Sequence, residues 1–179
     1  MTADSSTDQI KFMPQVISLD YEIRVAPVSA EFGRNMQAGR ITGHKCPQCA
    51  RVYVPPKGFC PICVIETSKA DEVEVADRGV VTSWTVLTPI QYHGQKERDD
   101  YALASILLDG ASGTVGQQRL LDVELPEIRM GMWVEAVWAP EDERGADDLR
   151  GWGFGSAITG FKPTGEPDAG PEIYEAHQL

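Results

Sequence analysis

No stretch of this sequence approaches the roughly 18 consecutive apolar residues that a membrane-spanning helix requires. The first eight residues, Met1-Thr2-Ala3-Asp4-Ser5-Ser6-Thr7-Asp8, lack both the basic start and the apolar run of a secretory signal. A cytoplasmic protein that does not engage the membrane is therefore expected. Catalytic signatures are also missing: there is no Gly-x-Ser-x-Gly elbow, no P-loop and no dinucleotide fingerprint. Histidine is confined to His44, His93 and His177. His44 is expected in a surface loop beside the cysteines, and His177 in the solvated tail. His93 would need Glu97 or Asp99 to fold back on it before it could act as an acid or base.

Positive charge is scarce as well. Sixteen Lys and Arg against 27 Asp and Glu leave a net charge of -11, which repels phosphate backbones and argues against nucleic acid as a partner. Acid is itself absent from Phe32 to Ile65, where Arg34, Arg40, Lys45, Arg51 and Lys57 stand unopposed. The rest of the 179 residues is ordinary for a globular protein, 42% hydrophobic and 24% charged, and long enough to bury a core.

All four cysteines lie in that acid-free window, as Cys46-Pro47-Gln48-Cys49 and Cys60-Pro61-Ile62-Cys63. Two CxxC knuckles supply four soft thiolates, the donor set that zinc takes as a closed tetrahedron. One structural zinc per chain is expected, with no open position for catalysis. Iron in the same site is the competing ion, and two disulfides or free thiols are the competing chemistry, against which the expected compartment argues. Ala50 and Val64 stand where such knuckles often place glycine, which predicts distorted knuckles or a loosened site.

Around the cysteines, Pro47, Pro55, Pro56 and Pro61 exclude a long helix. Upstream, Ser29 reads as the N-cap of a short helix that carries Phe32 and Met36 and stops at Gly39. Downstream, β-branched and aromatic runs at 80–88, 101–108, 115–121, 132–138 and 152–161 predict five strands separated by Gly and Pro. Trp84, Trp133, Trp138 and Trp152 fall on them, with core or interface packing expected. Leu125–Met130 predicts one short turn and 140–150 a charged loop. The resulting division is a flexible N-terminus with a short helical segment (1–40), a ribbon (41–75), a barrel (76–162) and an extended tail (163–179).

Taken together, Gly39-Arg40-Ile41, the four-cysteine ribbon with Tyr53-Val54-Pro55-Pro56, Gly79-Val80-Val81-Thr82-Ser83-Trp84-Thr85-Val86 and Arg129-Met130-Gly131-Met132-Trp133-Val134 resemble the zinc-ribbon/OB-fold family of acyl-CoA-associated proteins, formerly a domain-of-unknown-function family. The resemblance covers about residues 28–161. It implies a mainly β fold with an N-terminal helical segment, a rubredoxin-like zinc ribbon and a C-terminal five-stranded OB-fold barrel. It also implies a subunit that is not catalytic alone and that completes the acyl-CoA site of a thiolase-superfamily partner, of the thiolase or sterol side-chain aldolase type. That places the chain in lipid metabolism, with steroid degradation one setting. A hot-dog-fold enoyl-CoA hydratase as partner, or single-stranded nucleic acid on the OB face, are the alternatives. An acyl-CoA brings several phosphate charges, so Arg40, Lys45, Arg51 and Lys57 are the candidate residues for CoA or for an acidic patch on the partner.

Overall fold

The computed structural model of the chain describes residues 22–89, 98–145 and 154–178, with the single positions 15, 17, 19 and 96. His93, Trp152, the first fourteen residues and the 146–150 part of the charged loop lie outside the described residues.

Helix α1 runs from Pro27 to Gln37. It starts two residues ahead of the expected Ser29 cap. Proline suits the first helical position, because its φ is already helical and its missing N–H has no intrahelical partner there. The N-cap is Ala26, whose carbonyl accepts from Ser29 N and Ala30 N, each at 3.0 Å. Gly39, at φ 75°, ends the helix as expected. One face, carrying Phe32 and Met36, is buried.

The chain then forms a small antiparallel sheet in the order β2-β1-β3, from Ile41–Lys45 (β1), Val52–Tyr53 (β2) and Glu72–Val75 (β3). The two cysteine knuckles project from this sheet. Five longer strands follow: β4 (Arg78–Leu87), β5 (Tyr101–Leu108), β6 (Val115–Arg119), β7 (Trp133–Trp138) and β8 (Ile158–Pro163), in the order β6-β5-β4-β7-β8. Leu120 pairs in parallel with Phe161, and Leu121 N donates to Phe161 O at 2.8 Å. These contacts join β6 to β8 and close the barrel in the OB connectivity.

Alternation fills the barrel. Ala102, Ala104, Ile106 and Leu108 on β5 all point inward and are buried, as the period of two requires. Gly79 lets β4 and β5 approach closely, because a Cβ there would sit 2.4 Å from Leu107 O. The core is continuous across both sheets: Phe32, Met36, Ile41, Val52, Val54 and Val75 belong to the same cluster as Val81, Ile106, Val134 and Phe161. Ribbon and barrel are thus one packed body.

The last strand differs from expectation. It begins at Ile158 rather than at 152, because a turn closed by Ala157 N to Phe154 O at 3.0 Å precedes it. Phe154 instead leaves the sheet and meets Phe32 edge-on at 6.0 Å, which pins the loop to α1. The short turn expected after Glu124 is present at Leu125–Glu127. Of the three described tryptophans, Trp138 packs against the core and the other two are half-buried or exposed. Trp84 is exposed, Trp133 is covered by the Arg78 guanidinium at 4.3 Å, and Trp138 donates from Nε1 to Asp77 Oδ2 at 3.0 Å.

The stretch from 164 to 170 forms neither helix nor strand, with Gly165 at φ 80°, and the tail then turns into the short helix α2 (Pro171–Tyr174). It is fastened to the barrel by Ala169 N to Gly131 O at 2.8 Å and by two paired-bond Arg–carboxylate contacts, Arg129 with Asp168 and Arg78 with Glu166. Among the described residues no helix is long and apolar enough to cross a membrane.

Candidate metal centre

The ligand atoms of Cys46, Cys49, Cys60 and Cys63 all lie within 4.8 Å of one another, and Cys49 Sγ is 3.7 Å from Cys60 Sγ. Four sulfurs around one zinc at about 2.3 Å would be spaced by about 3.8 Å, so the set fits a tetrahedral ion. Sulfur at all four corners suits zinc, and the residues form a site for one structural zinc. All four cysteines are free of disulfides.

Each knuckle is a tight turn built the same way. Cys49 N donates to Cys46 Sγ at 3.5 Å and Cys63 N to Cys60 Sγ at 3.4 Å, bonds that favour the thiolate. Ala50 and Val64 do not distort the turns. Both adopt the left-handed conformation that glycine would take, at φ 58° and 55°, so the knuckles keep their geometry at a cost in backbone strain.

The thiols also show why the site calls for a cation. The backbone N–H of Cys49 brings Cys46 down to about 7, while burial, together with the surrounding sulfurs, pushes Cys63 up to about 12. Four neighbouring thiols do not ionise together unless a positive charge sits between them. Zinc supplies that charge and displaces the protons.

His44 lies on β1 rather than in a surface loop. It is buried, its Nδ1 is 3.0 Å from Thr67 Oγ1, and its pKa is lowered chiefly by desolvation. Thr67 gave no signal in the sequence, because only the fold brings the chain beyond the second knuckle back to β1. His177 sits in a turn following α2.

The four candidate bases are all exposed, and the structure does not gather them into one pocket. Arg40 sits between α1 and β1, where its Nη2 donates to Asn35 Oδ1 at 2.7 Å. Lys45 lines a cleft of about 300 Å³ beside Cys46 and Pro47, whose far side is formed by Asp71 and Glu72. Arg51 is held to Tyr53, which with the nearby cysteines raises its pKa. Lys57 stands just ahead of the second knuckle. On the barrel, Ser83, Trp84, Leu87, Leu103 and Gln117 line a groove of about 490 Å³ whose lining includes no Lys or Arg. A phosphate backbone would find no counter-charge among those residues.

Residues 37–65 match the rubredoxin-like zinc ribbon domain of ChsH2, and residues 72–139 match its C-terminal OB-fold domain. The chain is similar to a DUF35 domain-containing scaffold protein of Pyrococcus furiosus, 32% identical over 117 residues, which is 64% of this chain and 80% of the relative. The corresponding protein of Methanothermobacter thermautotrophicus is 29% identical over 119 residues, 66% of this chain and 86% of the relative. Among solved structures, a chain of the Ltp2-ChsH2(DUF35) aldolase shares the fold with a TM-score of 0.56 at 19% identity, over 79% of this chain and 98% of that one. A DUF35-family protein of unknown function from Sulfolobus solfataricus gives a TM-score of 0.50 at 20% identity, over 62% and 78%.

Proposed function

This chain belongs to the DUF35 family, and from that premise we propose that it is a non-catalytic accessory subunit of a thiolase-superfamily enzyme, of the thiolase or sterol side-chain aldolase type. On this reading the partner supplies the reacting groups, and this chain completes or covers the partner's acyl-CoA site in a hetero-oligomer. The observation that carries it is the pairing of a closed four-thiolate ribbon with an OB barrel in one packed body, in a chain similar to relatives named scaffold proteins. The aldolase that shares this fold has a name joining ChsH2 to a second protein, Ltp2, which supports a two-protein assembly here.

On this reading the phosphate end of CoA, or an acidic patch on the partner, meets the bases of the acid-free 32–65 window of the sequence. Lys45 and Lys57 are exposed, whereas Arg40 is partly committed to Asn35 and Arg51 to Tyr53. Bases that merely offset the thiolate charge would occupy the same positions, so the assignment is decided by function.

The test coexpresses this chain with a candidate thiolase-superfamily enzyme of the same genome and assays that enzyme with and without it. The pair should copurify, the chain should raise the enzyme's turnover of acyl-CoA, and the chain alone should turn over none. Arg51→Glu should weaken assembly or raise the apparent KM for acyl-CoA at unchanged zinc content. Thiolysis or retro-aldol activity by the isolated chain would overturn the accessory reading. Specific copurification with an enoyl-CoA hydratase instead would reassign the partner.

A further inference from the structure

Ahead of α1 the sequence alternates without a break. Ile17, Leu19, Tyr21, Ile23 and Val25 are apolar, and Ser18, Asp20, Glu22 and Arg24 between them are polar. Strict alternation over such a length is the pattern of a strand with one buried face. The described residues of this stretch belong to no strand, and Ile17, Leu19 and Ile23 are 76%, 79% and 71% exposed. At its described positions the arm thus carries an apolar side that the single chain leaves in water.

The barrel has an open edge of matching character. β4 pairs with β5 as far as Leu87, but with β7 only over Arg78–Val80, Val81 adding bonds to Gly131 and Met132. A bulge between Val81 and Ser83 then changes which residues face outward. Leu120 N donates to Ala102 O at 3.1 Å, so Ala102 turns its backbone toward β6. Val86, opposite Ala102, therefore points its N–H and C=O away from β5, and Trp84, two residues back, does the same. Among the described residues no strand pairs with that side. The side chains of Trp84 and Val86 are also 40% and 36% exposed. Ser83–Leu87 contains neither charge nor proline, the residues that commonly guard an edge against pairing.

We propose that residues 17–25 of one copy add as a strand to the open β4 edge at Trp84 and Val86 of a second copy, and that the exchange is reciprocal. The inference goes beyond the accessory-subunit reading and does not depend on it. A strand added at this edge must set apolar side chains beside Trp84 and Val86 at every second position, and polar ones on the side of Ser83 and Thr85. The arm has that alternation. In a single copy the two halves stay apart. Val25 is tethered close to Pro27, where α1 begins, and Val28 of that first turn rests on the ribbon near Gly58. The open edge lies about 20–26 Å of strand beyond the ribbon end of β4. The arm's apolar residues and Trp84 are accordingly exposed together. Two arms pairing only with each other is disfavoured. The antiparallel register that matches all five apolar positions sets Asp20 against Glu22 twice, and an isolated two-stranded ribbon is marginal in water. A two-fold axis lets each copy give one arm and receive one, which closes the assembly as a dimer.

The experiment is analytical ultracentrifugation of the full, zinc-loaded chain across a concentration series, with no partner enzyme present. The unaltered chain should dimerise. Leu19→Asp combined with Ile23→Asp spoils the arm at residues that are exposed in the single copy, and Val86→Lys places a charge on the edge. Each variant should weaken dimerisation on the order of tenfold or more at unchanged zinc content. Mixed together, the two variants should associate with each other more tightly than either does with itself, because one intact arm then meets one intact edge. Hydrogen exchange at the Trp84 and Val86 amides should slow as the unaltered chain is concentrated. A chain that is monomeric at every concentration overturns the inference and leaves the accessory reading standing. A dimer that survives both variants overturns it as well, as does a mixture of the two that shows no gain in association.

Discussion

Asn35 donates its side-chain amide to Thr42 Oγ1 at 3.0 Å, which ties helix α1 to strand β1 inside the core. The same amide reaches Glu72 Oε2 on β3 at 3.0 Å, and its oxygen accepts from Arg40. One buried polar side chain thus spans the helix, the junction and the ribbon. Replacing it by Leu would take a donor from a buried hydroxyl and leave the largely buried Glu72 carboxylate with Lys69 alone. Asn35→Leu should cost about 1–3 kcal/mol in a denaturant titration. A loss below about 0.5 kcal/mol would mean that the network is not coupled to folding.

Because Val52, Val54 and Val75 share the barrel's core, the zinc should support more than the ribbon. Cys49→Ser, or a strong chelator, should abolish stoichiometric zinc in elemental analysis and lower the melting temperature of the whole chain, with strand signal still detectable at 25 °C. A metal-free preparation that melts like the native one would exclude a structural role for the ion.

Gly131 holds the tail by shape. At φ 87°, a Cβ there would lie 3.0 Å from both Ala169 O and Tyr174 Cε1. Gly131→Ala should therefore cost more than about 1 kcal/mol and expose residues 164–178 to carboxypeptidase. The neighbouring Arg129–Asp168 pair is exposed, and solvent screens it, so Asp168→Asn should cost less than Gly131→Ala. The reverse ranking would show that charge rather than backbone fit secures the tail.

Acid should weaken the contact between α1 and the turn before β3. The Glu31 carboxyl is held at about 2, below its ordinary 4.5, first by the Lys69 ammonium and then by Arg34. A carboxyl lowered by folding contributes stability that is complete above about 4.5 and is lost as pH falls toward 2. Glu31→Gln should thus narrow its stability difference from the native chain across that interval, most visibly at low salt. Equal differences at pH 6 and pH 2.5 would refute the assignment.

The metal centre and the order of modules were legible in the sequence because both are local signals. CxxC spacing fixes which sulfurs face one ion within a knuckle, and alternating apolar runs mark strands whatever they pair with. Four of the five barrel strands fall within a few residues of where their composition puts them, and the helix carries the expected buried pair, Phe32 and Met36. The misses have a common cause. Phe154 reads as part of a strand because aromatics favour sheets, but the fold uses it to fill the space beside Phe32, and β8 starts later in consequence. His44 reads as a loop residue because it neighbours the first knuckle, yet pairing of β1 with β3 buries it against Thr67, a partner 23 positions away. Ala50 and Val64 read as defects in the knuckles, whereas the ring of hydrogen bonds around the cysteines holds both in the conformation glycine would take. Local composition determined the elements and the ion. Long-range packing alone decided which side chains the elements share, because contacts between distant positions leave no period in a single sequence.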